Sequence, residues 1–183
     1  MVNSPRSQGS AVSDGVMTLQ NDDSSPTAVI LTPEVQQALW FLGALVRIRA
    51  GGDATAGSLA VLEHQGGRGY NSPMHRHLVD EETFFVIDGE VRIEVGGHVH
   101  LAGAGAVAFL PRQRPHGFVV TSPQARFLTL HTPAGFDRFA LAAGTAVSTT
   151  DPMPPETVPP DPAALAALAS SYGIEIVGPP PAL

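Results

Sequence analysis

From Gly69 to Gly89 the chain reads GYNSPMHRHLVDEETFFVIDG, and the reading of this stretch decides the fold. His75 and His77 stand one residue apart on an extended segment, where side chains alternate with period two, so both face the same side. Glu82 follows five residues after His77, at the start of the next apolar run. His116, within LPRQRPHGF, comes about 40 residues after His75. Three neutral imidazoles and one carboxylate suit a first-row divalent ion and leave one or two coordination positions open for substrate, water or dioxygen.

Outward from that stretch, short apolar runs alternate with Gly, Asp and Pro. Strands are expected at Trp40–Ile48, Ser58–Glu63, Thr83–Ile87, Val91–Val95, His98–Leu101, Ala106–Leu110, Gly117–Val120 and Arg126–His131. Their spacing, roughly ten residues with turn signals between, predicts an all-β sandwich or barrel. Asp88-Gly89 and Gly96-Gly97 sit where tight hairpin turns are expected. Residues 1–28 are polar and without periodicity, and read as a disordered arm. Thr32-Pro33-Glu34 marks a short helical turn, and the segment from Pro133 to Gly144 a short helix carrying Phe136 and Phe139. Asp151 to Pro160 is Pro-rich and reads as an extended linker. A helix follows, with Asp161 as N-cap, Pro162 in the first turn and Gly173 at its end. Leu165, Leu168 and Tyr172 share one of its faces, so it should lie on the barrel. The domain division that results is an arm at 1–28, a barrel at 37–145, and a linker plus packed helix at 146–183.

Composition narrows the chemistry. Among 183 residues there is no cysteine, which excludes disulfides, thiolate metal sites and a cysteine nucleophile. All ten basic residues are arginine, so Schiff-base chemistry and a P-loop lysine are excluded too. The net charge is −7 and the arginines are scattered, which argues against nucleic acid as a partner. The longest apolar stretch, Ala38 to Val46, has nine residues, less than half a membrane span. No apolar segment of the signal-peptide kind stands near the N-terminus, so a cytoplasmic protein is expected, with no membrane partner.

The histidine stretch and the His116 segment resemble the two motifs of the cupin superfamily. In the first, Gly69, His75, His77, Glu82 and Gly89 fill the pattern G-x5-H-x-H-x3/4-E-x6-G, and only Glu82, not Glu81, leaves six residues before Gly89. In the second, Gly105, Pro111 and His116 match G-x5-P-x-G-x2-H-x3-N, while Gln113 replaces its glycine and Val120 its asparagine. The resemblance implies a jelly-roll barrel of the RmlC type with a C-terminal helical extension. It also implies one divalent transition metal ion (Fe, Mn, Ni, Co, Cu or Zn) on His75, His77, Glu82 and His116. The lead-in WFLGALVRIRAGGDATAGSLAVLEHQGG, the PAGFDRF segment and the C-terminal DPAALAALASSYGIEIVGPP extend it over about residues 36–182. These segments look like small actinobacterial monocupins described as quercetin 2,3-dioxygenase-like.

For that group the resemblance implies a metal-dependent dioxygenase that opens the heterocycle of a flavonol with O2 and releases carbon monoxide. Glu82 would be both ligand and general base, which is reasonable because a metal-bound hydroxyl needs only a weak base. The C-terminal helix would help cover the pocket. Two other readings accept the same ligands: a Lewis-acid cupin acting as cyclase or isomerase of polyketide-like intermediates, and a non-catalytic small-molecule-binding cupin. A homodimer is implied by the family and favoured by an unpaired barrel edge.

Alternation puts Phe84 and Val86 on the side of Glu82, and Phe118 two residues past His116, so these three are expected to line the substrate pocket. Phe136 and Phe139 belong either to a lid or to the core. His64 and His131, near strand ends, are candidates to hydrogen-bond the metal ligands. His98 and His100 lie on a polar hairpin and should be exposed. Gly103 to Ala108 fits the loose dinucleotide fingerprint G-x-G-x-x-A, but a strand with Pro111 follows where a helix is needed, so it reads as a turn. No G-x-S-x-G elbow supports a serine nucleophile.

Overall fold

The computed structural model describes residues 28–147 and 161–183, with the strand backbones at 11–13 and 16–19. It divides into two compact units, residues 1–36 and residues 37–183.

In the first unit, β1 (Ala11–Ser13), β2 (Val16–Leu19) and β3 (Ala28–Leu31) form an antiparallel sheet in that order, followed by a 3₁₀ turn at Pro33–Val35. The expectation of a disordered arm is corrected at these strands; the rest of the arm lies outside the described residues. The missed signal is local. Asp14-Gly15 stands between Ala11-Val12-Ser13 and the alternating Val16-Met17-Thr18-Leu19, and Asp-Gly between such runs is a strong hairpin signature. The polar surroundings of these runs masked it.

The second unit is a jelly roll of two antiparallel sheets. Its strands are β4 (Gln37–Phe41), β5 (Ala44–Ala50), β6 (Ala60–Gly67), β7 (Met74–His77), β8 (Glu81–Asp88), β9 (Glu90–Val95), β10 (His98–Gly103), β11 (Val107–Leu110), β12 (His116–Val120), β13 (Gln124–Thr132), β14 (Thr145–Ala146) and β15 (Ile174–Gly178). One sheet has the order β10-β9-β12-β7-β15 and the other β11-β8-β13-β6-β5-β4-β14. Helix α1 (Phe136–Ala143) follows β13, and α2 (Pro162–Ser171) precedes β15. Among the described residues no helix is long and apolar enough to cross a membrane.

Period-two alternation explains which face of each strand is buried. On β8, Glu82, Phe84 and Val86 point inward while Phe85 is exposed; on β13, Ala125, Phe127, Thr129 and His131 point inward. Phe84, Val86, Val91, Ile93, Phe118 and Phe127 fill the space between the sheets. A second cluster gathers Phe41, Val46, Leu62, Phe136, Phe139 and Ala169, with Leu165 and Leu168 packed against it. Phe136 and Phe139 are therefore core. Tyr172, the C-cap of α2, is exposed and tilts against Phe139 of α1 at 6.0 Å.

The structure differs from the expected strands in four places. Trp40–Ile48 is two strands, β4 and β5, paired through a turn at Leu42-Gly43 whose backbone is left-handed at both residues. β7, carrying His75 and His77, is a strand in its own right. Gly96-Gly97 makes the β9–β10 hairpin, with Val95 paired to His98. Asp88-Gly89 makes none, because β8 and β9 belong to different sheets and the chain crosses between them there. Gly89 has φ +79°, and a Cβ there would collide with the Gln124 carbonyl oxygen. Finally, Ile174–Gly178 adds β15 to the edge of the sheet beside β7. The division at 146 thus separates a strand from the barrel it completes. The Pro-rich linker lies outside the described residues. His98 and His100 are exposed on β10, and Gly103 to Ala106 is a turn.

Candidate metal centre

His75 on β7 pairs across the ladder with His116 on β12, and His77 lies two residues along on the same inner face. Glu82 comes from the facing sheet, on β8. The structure thus brings together His75, His77, Glu82 and His116, all buried, with ligand atoms within 4.8 Å of one another. Glu82 Oε2 lies 2.9 Å from His116 Nε2, 3.5 Å from His77 Nε2 and 4.0 Å from His75 Nε2.

Each imidazole is oriented from behind. His75 Nδ1–H donates to the Pro73 carbonyl at 2.8 Å, and His116 Nδ1–H to the Arg114 carbonyl at 2.8 Å. His77 Nδ1–H donates to the Asp80 carboxylate at 3.0–3.1 Å. With Nδ1 anchored to an acceptor, each ring turns Nε2 toward Glu82, the nitrogen that a metal ion would take. His77 Nε2 is buried and has no hydrogen-bond partner. An orphaned ring nitrogen, aimed with two others at one carboxylate, fits a divalent cation: an ion satisfies the nitrogen that no protein group does.

Electrostatics agree with this arrangement. Burial, with His116 and His77 nearby, lowers the His75 pKa to about 3, so it is a neutral ligand at physiological pH. Burial opposes a charge on His77 as well, but the Asp80 and Glu82 carboxylates outweigh it and push the metal-free value up to about 9. Burial works against the Glu82 charge, and the His116 hydrogen bond and the neighbouring imidazoles overcome it, holding the carboxyl well below its usual range.

Asp80, which the sequence reading missed, completes the surroundings together with His131 and Phe136, which it named. Asp80 also accepts from His131 Nδ1–H at 2.8 Å. Phe136 stacks flat on His131, with ring centroids 4.3 Å apart, and tilts toward His77 at 5.7 Å. His131 in turn lies opposite Glu82 in the β13–β8 ladder. Asp80 was legible in principle, as an acid three residues past one ligand and two before another. Its role depends on a bend between β7 and β8 that spacing does not disclose. His64 hydrogen-bonds Tyr70 and Thr129.

A pocket opens beside the cluster, reaching His75 and Glu82. Phe118 lines it. Phe84 and Val86 do not, which corrects two of the three expected pocket residues. The inward rows descend from Glu82 opposite His131 to Phe84 opposite Thr129, then into the packed base of the barrel around Val86. The same side of the strand is therefore pocket only at its first residue. The apolar wall is instead Phe41 of β4, Phe136 and Phe139 of α1, Leu165 and Ala169 of α2, and Ile174 of β15. His64, Tyr70, Asn71 and Ser72 add a polar side.

A closed jelly roll with a buried His/Glu cluster at one end defines the class. Residues 62–131 match the family model described as a cupin domain. Over 82 residues it is 27% identical to quercetin 2,3-dioxygenase of Bacillus subtilis (strain 168). That match covers 45% of this chain and 24% of the relative, so the chain spans about a quarter of its relative's length. Among solved structures, an RmlC-like cupin from Shewanella frigidimarina NCIMB 400 superposes with TM-score 0.51 at 19% identity, over 58% of this chain and 92% of that one. KdgF from Halomonas sp. gives TM-score 0.48 at 22% identity, over 52% and 85%.

Proposed function

We propose that this cupin is a metal-dependent enzyme, a dioxygenase that opens a flavonol-like aromatic enol with O2. The observation that carries the reading is the convergence of three Nδ1-anchored imidazoles on Glu82 at the end of an apolar-walled cavity. The match to a quercetin 2,3-dioxygenase supports the choice of substrate class. In this reading His75, His77, Glu82 and His116 would hold one divalent ion. When bound, the ion supplies positive charge that lowers the pKa of a coordinated hydroxyl. Glu82 is the catalytic base. Its carboxylate is ionised at neutral pH and accepts the hydroxyl proton, while Phe118 and Phe136 keep water from the planar ligand.

The protein works as a homodimer in this proposal. β11 is the edge of its sheet, and Phe85, Val107 and Phe109 are 40%, 64% and 59% exposed on β8 and β11. An open edge flanked by large apolar side chains favours association with a second copy. The substrate is a small molecule and the setting cytoplasmic, with neither nucleic acid nor membrane as partner.

The deciding experiment is oxygen uptake with quercetin, on protein stripped of metal and reloaded separately with iron, manganese, cobalt, nickel, copper and zinc. Uptake with release of carbon monoxide supports dioxygenation. Stoichiometric metal binding without uptake refutes it and leaves the Lewis-acid or binding readings.

A further inference from the structure

β7 carries two of the four proposed ligands, yet its ladder with β12 has a single pair, His116 opposite His75. The same register would set Pro115 opposite Arg76 and Arg114 opposite His77. Pro115 has no N–H to give, and the Arg114 carbonyl already accepts from the His116 ring. Past that pair, Gln113 N–H reaches the His77 carbonyl at 2.7 Å.

The other edge of β7 is covered along its whole length by β15. Ile174 pairs with His77, Glu175 with Arg76, Ile176 with His75 and, past a bulge, Gly178 with Met74. Leu78 N–H donates to the Gly173 carbonyl at 2.8 Å and Met74 N–H to the Pro179 carbonyl at 3.3 Å, which extends the pairing at both ends. The two faces of this pair differ. Outside, Arg76 Nε–H donates to Glu175 Oε2 at 2.6 Å, an ion pair directly across the strands that pins their register. Inside, Ile174 and Ile176 stand beside His77 and His75 on the same face and line the pocket.

β15 is continuous with α2. Gly173, with φ +74°, turns the chain from the end of the helix into the strand. Leu165 and Ala169 of α2 line the pocket together with Ile174 and Ile176, and Ala169 and Ile174 are buried in the cluster of Phe41, Phe136 and Phe139. One segment is thus seated on the apolar wall by its helix and on the ligand strand by its strand.

We infer that α2–β15 is a strap that holds the metal centre closed. β15 positions His75 and His77, and its detachment from β7 is the route of metal exchange. A strand secured on its other edge by one ladder pair opens at a free energy below that of global unfolding. Arg76 and Glu175, on the outer face, are positioning residues that act through β7. The inference rests on the proposed ligand set and is independent of dioxygen chemistry.

The chain has no cysteine, so the strap can be locked by one disulfide. Directly opposed residues of an antiparallel pair have Cα atoms about 4.5–5.5 Å apart, a span that a disulfide bridges. Arg76→Cys with Glu175→Cys puts both thiols on the outer face, away from the ligand nitrogens. The full chain is loaded with cobalt, and release to excess chelator is followed by the cobalt absorption. The oxidised variant should release cobalt at least about tenfold more slowly than the same protein after reduction. In Glu175→Arg two like charges face each other across the strands, and release should accelerate about three- to tenfold. The charge swap, Arg76→Glu with Glu175→Arg, should return it to within about twofold of the wild type. The sole tryptophan, Trp40 on β4 of the other sheet, reports unfolding of the barrel, and its fluorescence should stay constant while cobalt leaves.

Equal release from the oxidised and reduced forms, or release only as fast as Trp40 reports unfolding, overturns the strap and leaves the ligand set standing. If Glu175→Arg fails to fold, the disulfide variant decides alone. Slower release from the oxidised form, in protein that takes up no oxygen, supports the strap and refutes only the dioxygenase reading. A wild type that binds no cobalt overturns the strap and the ligand set together.

Discussion

Replacing Asp80 by Asn is the sharpest perturbation of the metal centre, because it changes no proposed ligand and almost no volume. The carboxylate receives two charge-assisted hydrogen bonds, from His131 at 2.8 Å and from His77 at 3.0 Å. The amide keeps one accepting oxygen and turns an N–H group toward the other imidazole, donor against donor. One ring must lose its bond or move its proton. If His77 moves it, Nε2 gains the hydrogen and cannot bind a metal; if it does not, its orientation is lost. A hydrogen bond to a charged group contributes about 1.5–3 kcal/mol, so metal affinity should fall about 10–100-fold. The assay is competition for cobalt with a chromophoric chelator, with the visible spectrum of the bound cobalt reporting coordination geometry. Affinity within about threefold of the wild type, with an unchanged spectrum, would refute the argument that Asp80 sets the His77 tautomer.

Other outcomes follow from the same geometry. His77→Ala should abolish stoichiometric metal binding and with it activity; unchanged metal content, measured by elemental analysis, would sink the assignment. Metal-free protein should be most stable near pH 6.5. Raised to about 9, His77 contributes stability that is complete below its ordinary value and lost as pH rises through 9, up to about 3 kcal/mol or roughly 6–12 °C in Tm. His64 and His75, each lowered to about 3, make stability fall on the acid side of 6.5. Metal loading should remove the alkaline decline, and melting curves from pH 5 to 10 with and without zinc would reveal whether it does. Gln113 holds φ +64° at the glycine position of the second motif while its N–H binds the His77 carbonyl at 2.7 Å. Gln113→Gly should relieve that strain, offset by greater unfolded-state freedom, for a net gain of up to about 1 kcal/mol in thermal melts. Phe109→Glu should yield monomers by light scattering; an unaltered dimer would place the interface elsewhere.

The sequence by itself determined the strand pattern of the barrel, which rests on short-range rules, while its resemblance to the cupin motifs implied the four-residue cluster. Period-two alternation puts His75 and His77 on one face and turn residues delimit the strands; the motif's Gly-to-Gly spacing selects Glu82 over Glu81. What it could not determine was depth and partnership across sheets. Alternation says that Phe84 and Val86 share a side with Glu82. Only the facing rows of β13 reveal that they pack into the closed base instead of the cavity. Likewise β15 reads locally as a tail, and becomes a barrel strand because Ile174 and Ile176 pair with His77 and His75 almost a hundred residues earlier. Asp80, Thr129 and Tyr70 carry no motif at all. They join His64, His131 and His77 only after β6, β8 and β13 are laid side by side, since a hydrogen-bond chain requires distances that the linear order of residues does not contain.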